Sequence, residues 1–196
     1  MGGGVEKPLL EISGKPMLQR VIEVLRKSNA IDRIVVASSV STPATTAAAK
    51  RLGAESIITP GRGFEEDMRF AIRQLSLDET LVISSDLPFV TVEVIEEAVD
   101  RFRDTRKPAL AVMAPAHLYE RLGRKPDYVF EINGQKLVPV GINIIDDARI
   151  DHGILEQTEL IIDSGDVAFN INSPKDLAVA RKRMAAVRRE ANLGHK

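Results

Sequence analysis

The sequence predicts an α/β domain in which helices enclose a mostly parallel sheet. Short apolar runs rich in β-branched residues alternate with amphipathic stretches of helical period, and the connections between them are short. The 196 residues suit one domain with a sizeable core, and no repeat, low-complexity linker or domain boundary divides them. We therefore predict a single domain over residues 1–196.

The composition excludes several classes of function. The chain has no cysteine, which excludes a disulfide scaffold, thiolate catalysis and thiolate zinc sites. Its three histidines lack metal-ligand spacing, so neither histidine catalysis nor zinc binding is expected. A formal net charge of -1 argues against nucleic acid as the main partner. Since there is neither a signal peptide nor an apolar run of membrane-spanning length, we predict a cytoplasmic protein.

In the first part of the chain, apolar periodicity defines the helices and β-branched runs define the strands. Met17, Leu18, Val21, Ile22 and Leu25 recur at three-to-four-residue spacing and form one buried helix face. The helices predicted in this way are 17–29, 45–52, 65–75 and 92–103. The predicted buried strands are 33–37, 56–59, 80–84 and 109–114.

The pattern changes in the second part of the chain. Asn133 and Gly134 suit a type I′ turn, so residues 128–132 and 135–138 are predicted to form a β-hairpin. A closing helix is predicted from about Ser173, a good N-cap, to Asn192. Further extended segments are predicted at 141–145, 160–162 and 168–171.

The strongest candidate site is the turn Ser85-Asp86-Leu87-Pro88, which follows strand 80–84. Ligands of open α/β sheets bind beyond the carboxyl ends of the strands, where this pattern places Asp86. A carboxylate there suits magnesium, which takes one or two carboxylates plus substrate phosphate oxygens. Capping of the next helix explains an aspartate at this position equally well, so both interpretations stay open.

The N-terminal glycines form a second candidate site with a nearby lysine. Gly2, Gly3 and Gly4 lack a Cβ, so their amides can turn toward an anion, and Lys7 supplies a point charge for phosphate. A frayed tail is the alternative interpretation of the glycines. Lys15 is either a further phosphate ligand or a solvated lysine in a turn.

Two segments near the C-terminus also contain candidate binding residues. Gly141 lies inside a strand pattern, which indicates either the close approach of a ligand or a β-bulge. Asn170 and Asn172 alternate along an extended piece and therefore share a face, although this turn also suits helix capping.

Taken in this order, these segments resemble the nucleotidyltransferase family related to molybdopterin-guanine dinucleotide synthesis. The family pattern combines a Gly-rich loop, a Lys-Pro-Leu segment, a strand ending in an Asp-containing turn, and a closing Asn-x-Asn-[Ser/Thr]-Pro-x-Asp-Leu. The matching segments here are 6–9, 14–16, 85–88 and 170–177. The segments 61–67, 139–143 and 169–172 are similar to those of archaeal members that transfer GMP from GTP to adenosylcobinamide phosphate in cobalamin biosynthesis.

The resemblance implies a Rossmann-like three-layer nucleotidyltransferase fold and a guanylyltransferase that releases pyrophosphate. It implies GTP and a phosphorylated small molecule as partners, magnesium held by Asp86, and Lys7 and Asp86 as catalytic residues. A homodimer is compatible with it. The implied nucleotide-binding residues are Gly2, Gly3, Gly4, Lys7, Ser39, Thr42, Gly61, Gly63 and Gly141. The residues implied to face the acceptor are Asn143, Asn170 and Asn172.

Two other functions stay open at this point. One is nucleotidyl transfer to a different phosphorylated acceptor, such as molybdopterin, phospholactate or a sugar phosphate. The other is a nucleotide-binding module with weakened catalysis.

The resemblance also carries an expectation about the start of the sequence. The family begins with a hydrophobic strand and a loop of the type Ala-Gly-Gly-x-Gly-Thr-Arg, of which residues 1–4 resemble only the end. Loss of a central strand would cost many kcal/mol against a net stability of roughly 5–15 kcal/mol. We therefore expect in-frame upstream sequence to encode an apolar strand followed by Gly-Gly-x-Gly. Upstream DNA without that pattern would contradict this expectation.

Overall fold

The computed structural model describes residues 4–193 of the chain. The α-helices in this range are Met17–Leu25 (α1), Pro43–Arg51 (α2), Phe64–Leu75 (α3), Val92–Asp104 (α4), Ala116–Arg121 (α5) and Pro174–Leu193 (α6). The strands are Glu11–Ile12 (β1), Lys15–Pro16 (β2), Val35–Ser39 (β3), Glu55–Thr59 (β4), Glu79–Ile83 (β5), Ala109–Pro115 (β6), Phe130–Ile132 (β7), Gln135–Asp146 (β8) and Gln157–Ile161 (β9). No helix of the described part is long and apolar enough to cross a membrane.

The strands form three hydrogen-bonded sheets. Strands β1 and β2 make a small antiparallel hairpin, and β3 pairs with β4 in parallel. The largest sheet has the order β5–β8–β6–β9, and β7 also pairs with β8. In this sheet β8 is antiparallel to β5, β6 and β7, and β9 is parallel to β6. All of its strands except β8 therefore run in one direction.

The predicted alternation of strands and helices is confirmed, with several differences in detail. The hairpin at Asn133 and Gly134 is present, and both residues have the positive φ that a type I′ turn requires (50° and 75°). The two segments predicted at 135–138 and 141–145 form the single strand β8, which makes the sheet mixed. Helix α5 and the short hairpin β1–β2 were not predicted, because neither has a long enough periodic pattern. The segment 168–171 is not a strand.

Helix α1 places its apolar face against three separate clusters. Val21 and Leu25 lie in the main core with residues of α4, β6 and β8. Leu18 and Ile22 pack against β3 and α2. Met17, at the start of the helix, packs against the beginning of α6 and the segment that precedes it. All five side chains of the predicted buried face are buried, so this prediction is confirmed.

We expect Ile22→Ala to lower the free energy of unfolding by about 2–5 kcal/mol, because it removes a buried side chain and leaves a cavity between α1, β3 and α2. Urea denaturation followed by circular dichroism measures this change. The matched control is Ile154→Ala, since Ile154 is fully exposed and its truncation should change the free energy by less than about 0.5 kcal/mol. Equal effects of the two substitutions would contradict the assigned packing of α1.

Candidate active site

Three of the predicted site residues meet although they lie far apart in the sequence. The Lys7 ammonium donates to the Asp86 carboxylate at 2.5 Å and to the Asn172 side-chain oxygen at 3.0 Å. The Asp86 side chain is 15% exposed and the Lys7 side chain 38% exposed, so the pair is accessible from solvent and does not lie in the core. The structure therefore joins the Lys-Pro segment, the Asp-containing turn and the Asn-x-Asn segment at one place.

Each of these residues is positioned by a different element. Lys7 begins a short 3-10 helix, Lys7–Leu9, in which Pro8 fixes the backbone. Asp86 lies in the turn beyond the carboxyl end of β5, as predicted. The Asp86 carbonyl accepts a hydrogen bond from the Ile171 amide at 3.0 Å, which fastens the segment before α6 to this turn. Ile171 itself is fully buried, so its two neighbours lie on the opposite, more exposed side of the chain.

The Asn-x-Asn segment is also held by a helix cap. The Asp176 carboxylate accepts from the backbone amides of Asn172 and Ser173 at 3.0 and 2.8 Å, and it forms an ion pair with Arg124. The Ser173 hydroxyl accepts from the Asp176 amide at 3.2 Å while the Asp176 carboxylate accepts from the Ser173 amide, so the predicted N-cap Ser173 is confirmed as one half of a reciprocal cap. The predicted capping is therefore present, and the same segment also brings the Asn172 side chain to Lys7. A role of this segment in binding stays a prediction.

Glu6 is an important residue that the sequence did not single out. Its carboxylate accepts from the backbone amides of Ala44 and Thr45 at 2.8 and 2.6 Å, at the N-terminus of α2. Burial alone would raise the pKa of Glu6, but the hydrogen bonds from Thr45 and Ala44 outweigh it and lower that pKa. A helix N-terminus favours a carboxylate for the same reason. A cap 38 residues away leaves no signal in local spacing, so it could not have been predicted.

Three residues implied to bind the nucleotide lie together where β3 and β4 end. The Ser39 amide donates to the Thr42 hydroxyl at 3.1 Å, and this hydroxyl donates back to the Ser39 carbonyl at 3.1 Å. Gly61 lies against Ser39, since a Cβ at Gly61 would be 3.3 Å from the Ser39 Cβ. The chain folds this way because β3 and β4 are parallel neighbours, so their carboxyl ends meet at one edge. Glu6 anchors the adjoining start of α2, which places this group next to the segment that carries Lys7.

Gly141 lies beside the Asp86 turn, where the pairing of β8 is irregular. Its carbonyl accepts from the Ser84 amide at 2.9 Å, and a Cβ at Gly141 would lie 3.2 Å from the Ser84 Cβ. The register between β6 and β8 shifts here, and Gly141 has a φ of +84°. The bulge predicted as one alternative is therefore present, and it brings the strand close to the residues that lead to Asp86. Asn143 follows two residues later and is half-buried in the sheet, opposite Val82.

The remaining predicted residues are not part of the cluster around Lys7. Gly2 and Gly3 lie outside the described residues, and Gly4 is exposed with a φ of +61°. Lys15 forms an ion pair with Glu23 at 2.8 Å. Gly63 precedes α3 with a φ of +115°. Asn170 is half-buried, one residue before the anchored Ile171.

A cavity of about 1000 Å³ lies at the other end of the large sheet, where β5 and β6 begin. Residues at the start of β5, before β6 and after β8 line it, so it does not contain the cluster around Lys7 and Asp86. Within its lining, Asp147 is buried and accepts from the Thr80 hydroxyl at 2.8 Å. Burial raises the pKa of Asp147. The predicted site residues Lys7, Asp86 and Asn172 meet at the carboxyl ends of the parallel strands and do not line this cavity. We therefore take their cluster, and not the cavity, as the candidate active site.

The chain is similar in sequence to known nucleotidyltransferases. A family model described as a MobA-like NTP transferase domain matches residues 1–189. The chain is 34% identical to an adenosylcobinamide-phosphate guanylyltransferase of Methanocaldococcus jannaschii, over 91% of this chain and 88% of that protein. It is 32% identical to a probable molybdenum cofactor guanylyltransferase of Thermococcus kodakarensis, over 54% of this chain and 50% of that protein.

Solved structures give the same fold. CMP:2-keto-3-deoxy-manno-octonic acid synthetase complexed with CTP superposes with a TM-score of 0.73 at 18% identity, covering 92% of each chain. Molybdopterin-guanine dinucleotide biosynthesis protein A from Archaeoglobus fulgidus superposes with a TM-score of 0.63 at 21% identity, covering 93% of this chain and 92% of that one. These likenesses confirm the predicted Rossmann-like α/β class.

We expect Glu6→Gln to lower the melting temperature at pH 7, and we expect this loss to become smaller as the pH falls below the ordinary glutamate value of 4.5. The lowered pKa means that Glu6 stabilises the fold at pH values above the ordinary glutamate value of 4.5, and that this contribution disappears as the pH falls through the lower folded-state value. Differential scanning calorimetry at several pH values tests this.

The control for this experiment is Glu97→Gln, which changes an exposed glutamate on α4. Its melting temperature should follow that of the wild-type protein at every pH. A loss for Glu6→Gln that is the same at pH 3 and pH 7 would contradict the charged cap.

Proposed function

Because this chain belongs to the MobA-like NTP transferase family, we propose that it transfers GMP from GTP to adenosylcobinamide phosphate with release of pyrophosphate. The observation that carries this proposal is the meeting of Lys7, Asp86 and Asn172 at the carboxyl ends of the parallel strands. Ligands of open α/β sheets bind at these ends, and a lysine there can stabilise the negative charge of a nucleotide's phosphates. The 34% identity to an adenosylcobinamide-phosphate guanylyltransferase over nearly the whole chain supports the choice of base and acceptor.

The chemistry of the acceptor agrees with the residues available. A phosphate monoester has a second pKa of about 6, so it is largely a dianion near neutral pH and needs no protein base to attack. One of its oxygens forms a bond to the α-phosphorus of GTP, and the bond from that phosphorus to the bridging oxygen breaks, so that pyrophosphate leaves. A chain with no cysteine and three histidines can catalyse this step by positioning the reactants and offsetting their charge.

Lys7 is proposed to offset the negative charge of the phosphates. In the described structure its ammonium is paired with Asp86 and Asn172, so it is already held at the edge where the phosphates would lie. A nucleotide that binds there would exchange one or both of these contacts for phosphate oxygens. Asn172 then serves to orient the ammonium, and we propose that Asn170 and Asn143 face the acceptor.

Asp86 is proposed to bind magnesium. Enzymes of this family typically use a divalent metal ion. The described residues contain no group of three or more potential metal-ligating side chains, so the protein alone offers no closed metal site. A single half-buried carboxylate nevertheless fits magnesium, because this ion usually takes one or two carboxylates and completes its shell with water and substrate phosphates. When bound, such an ion offsets phosphate charge.

The group formed by Ser39, Thr42 and Gly61 is proposed to bind the base and ribose, together with Gly63. Its support is its place at the carboxyl edge of β3 and β4 and its connection through Glu6 to Lys7. Gly141 is proposed to lie near the nucleotide, because it packs closely against Ser84, two residues before Asp86, and has a φ of +84° that favours glycine. The amides of Gly2, Gly3 and Gly4 are proposed, from the sequence pattern alone, to line the triphosphate.

We expect the protein, supplied with magnesium and GTP labelled at the α-phosphate, to transfer the label to adenosylcobinamide phosphate. We expect Lys7→Met and Asp86→Asn each to lower kcat/KM by about 10²–10³-fold. This is the usual effect of removing one group that stabilises developing charge. A panel with molybdopterin, phospholactate and a sugar phosphate tests the choice of acceptor. Label on one of these instead would contradict the proposal.

Arg33→Met is the matched control for the two site variants. Arg33 forms an ion pair with Glu55 at 2.7 Å, at the opposite ends of β3 and β4 from the candidate site. Loss of that surface pair should leave kcat/KM within about twofold of wild type, because such pairs contribute little. Activity of Asp86→Asn within the same range would remove Asp86 from its role.

A further inference from the structure

Three consecutive apolar side chains are exposed at the start of β7. Tyr128, Val129 and Phe130 are 71%, 48% and 51% exposed, and we call them the apolar strip. The functional residues proposed above do not include them. Contiguous exposed apolar residues are a feature of surfaces that contact another molecule, whereas apolar residues exposed singly are ordinary.

The pairing of the strands locates the apolar strip relative to the candidate site. Strands β5 and β7 both pair with the same edge of β8, because β6 occupies the other edge. Ile83, the last residue of β5, lies opposite Ile142, and Phe130, the first residue of β7, lies opposite Leu137. The two strands therefore lie in one line along β8, with the start of β7 facing the end of β5.

The turn that carries Asp86 leaves β5 at this gap. The amide of Ser84 bonds to Gly141, which is one of the β8 residues between the two strands. Five residues of β8 span at most about 17 Å at 3.4 Å per residue, and the bulge near Gly141 shortens this distance. A large ligand whose reactive group lies at the Asp86 turn can therefore reach the apolar strip.

We propose that the apolar strip is the subsite for the corrin macrocycle of the acceptor. This inference rests on the proposed function, because that acceptor joins a phosphate through a flexible arm to a wide conjugated ring that carries methyl groups and a rim of amide side chains. The residues proposed for the nucleotide are polar or glycine, whereas Tyr128 and Phe130 offer large apolar surfaces that suit a flat ring system. The ring contacts Tyr128, Val129 and Phe130, and its phosphate lies between Lys7 and the nucleotide.

The double variant Tyr128→Ser/Phe130→Ser tests the subsite. We expect its KM for adenosylcobinamide phosphate to rise at least about tenfold, which corresponds to about 1.4 kcal/mol of lost contact, while its KM for GTP stays within about twofold. With a small amidoalkyl phosphate that lacks the macrocycle, the variant and the wild type should react equally. The melting temperature should not fall, since both side chains are exposed. An unchanged KM for the full acceptor would overturn the proposal.

A binding measurement separates this proposal from the proposed function. In equilibrium dialysis with cobinamide, which has the macrocycle but no phosphate, the wild type should bind and the double variant should bind at least about tenfold more weakly. Binding without any GMP transfer would refute the proposed function and support the subsite. No binding by the wild type would overturn the subsite.

The control variant is Ile154→Ser, which changes a fully exposed isoleucine beside the cavity at the other end of the large sheet. It should leave both KM values and cobinamide binding unchanged. An exposed strand can also pair with a second copy of the chain, and sedimentation velocity tests whether the apolar strip forms such a dimer. A dimer that dissociates in the double variant while cobinamide binding is unchanged would show that the strip is a subunit interface and would overturn the subsite.

Discussion

The packing of α1 determines how the two halves of the fold sit together. Its five buried residues belong to three hydrophobic clusters, one around the large sheet, one around β3 and α2, and one at the start of α6. Among the described residues, no hydrogen-bonded ladder joins the β3–β4 pair to the large sheet. Side-chain packing around α1 therefore contributes to the position of the group around Ser39 relative to the turn that carries Asp86.

The neighbouring residues Glu6 and Lys7 make the polar connection across the same boundary. Glu6 caps α2, which follows β3, while Lys7 reaches the Asp86 turn at the end of β5. Glu6 and Lys7, which carry opposite charges, thus connect the start of α2 to the turn after β5. The short 3-10 helix that begins at Lys7 helps to hold the Glu6 and Lys7 side chains in their different orientations, because Pro8 restricts the backbone at this point. The candidate site depends on this segment as much as on the strand ends.

Much of the site could be predicted from chemistry and chain order. The sequence pattern places Asp86 beyond the carboxyl end of a strand, and the family resemblance assigns Lys7 and Asn172 to the same site, so their meeting agrees with both. Glu6 and the apolar strip were not singled out. A distant helix cap leaves no local pattern, and the exposure of Tyr128 and Phe130 cannot be read from their apolar character, which usually indicates burial.

The sequence by itself determined the class of the fold, the buried face of α1, the hairpin at Asn133 and Gly134, and the residue types at the carboxyl edge. These follow from local periodicity and turn chemistry, which act over a few residues. Only the tertiary structure decided that β8 is one antiparallel strand, that β7 lies in line with β5, and that Glu6 caps α2. Such pairings join residues far apart in the chain, and they are selected by packing and by the need to satisfy buried backbone groups.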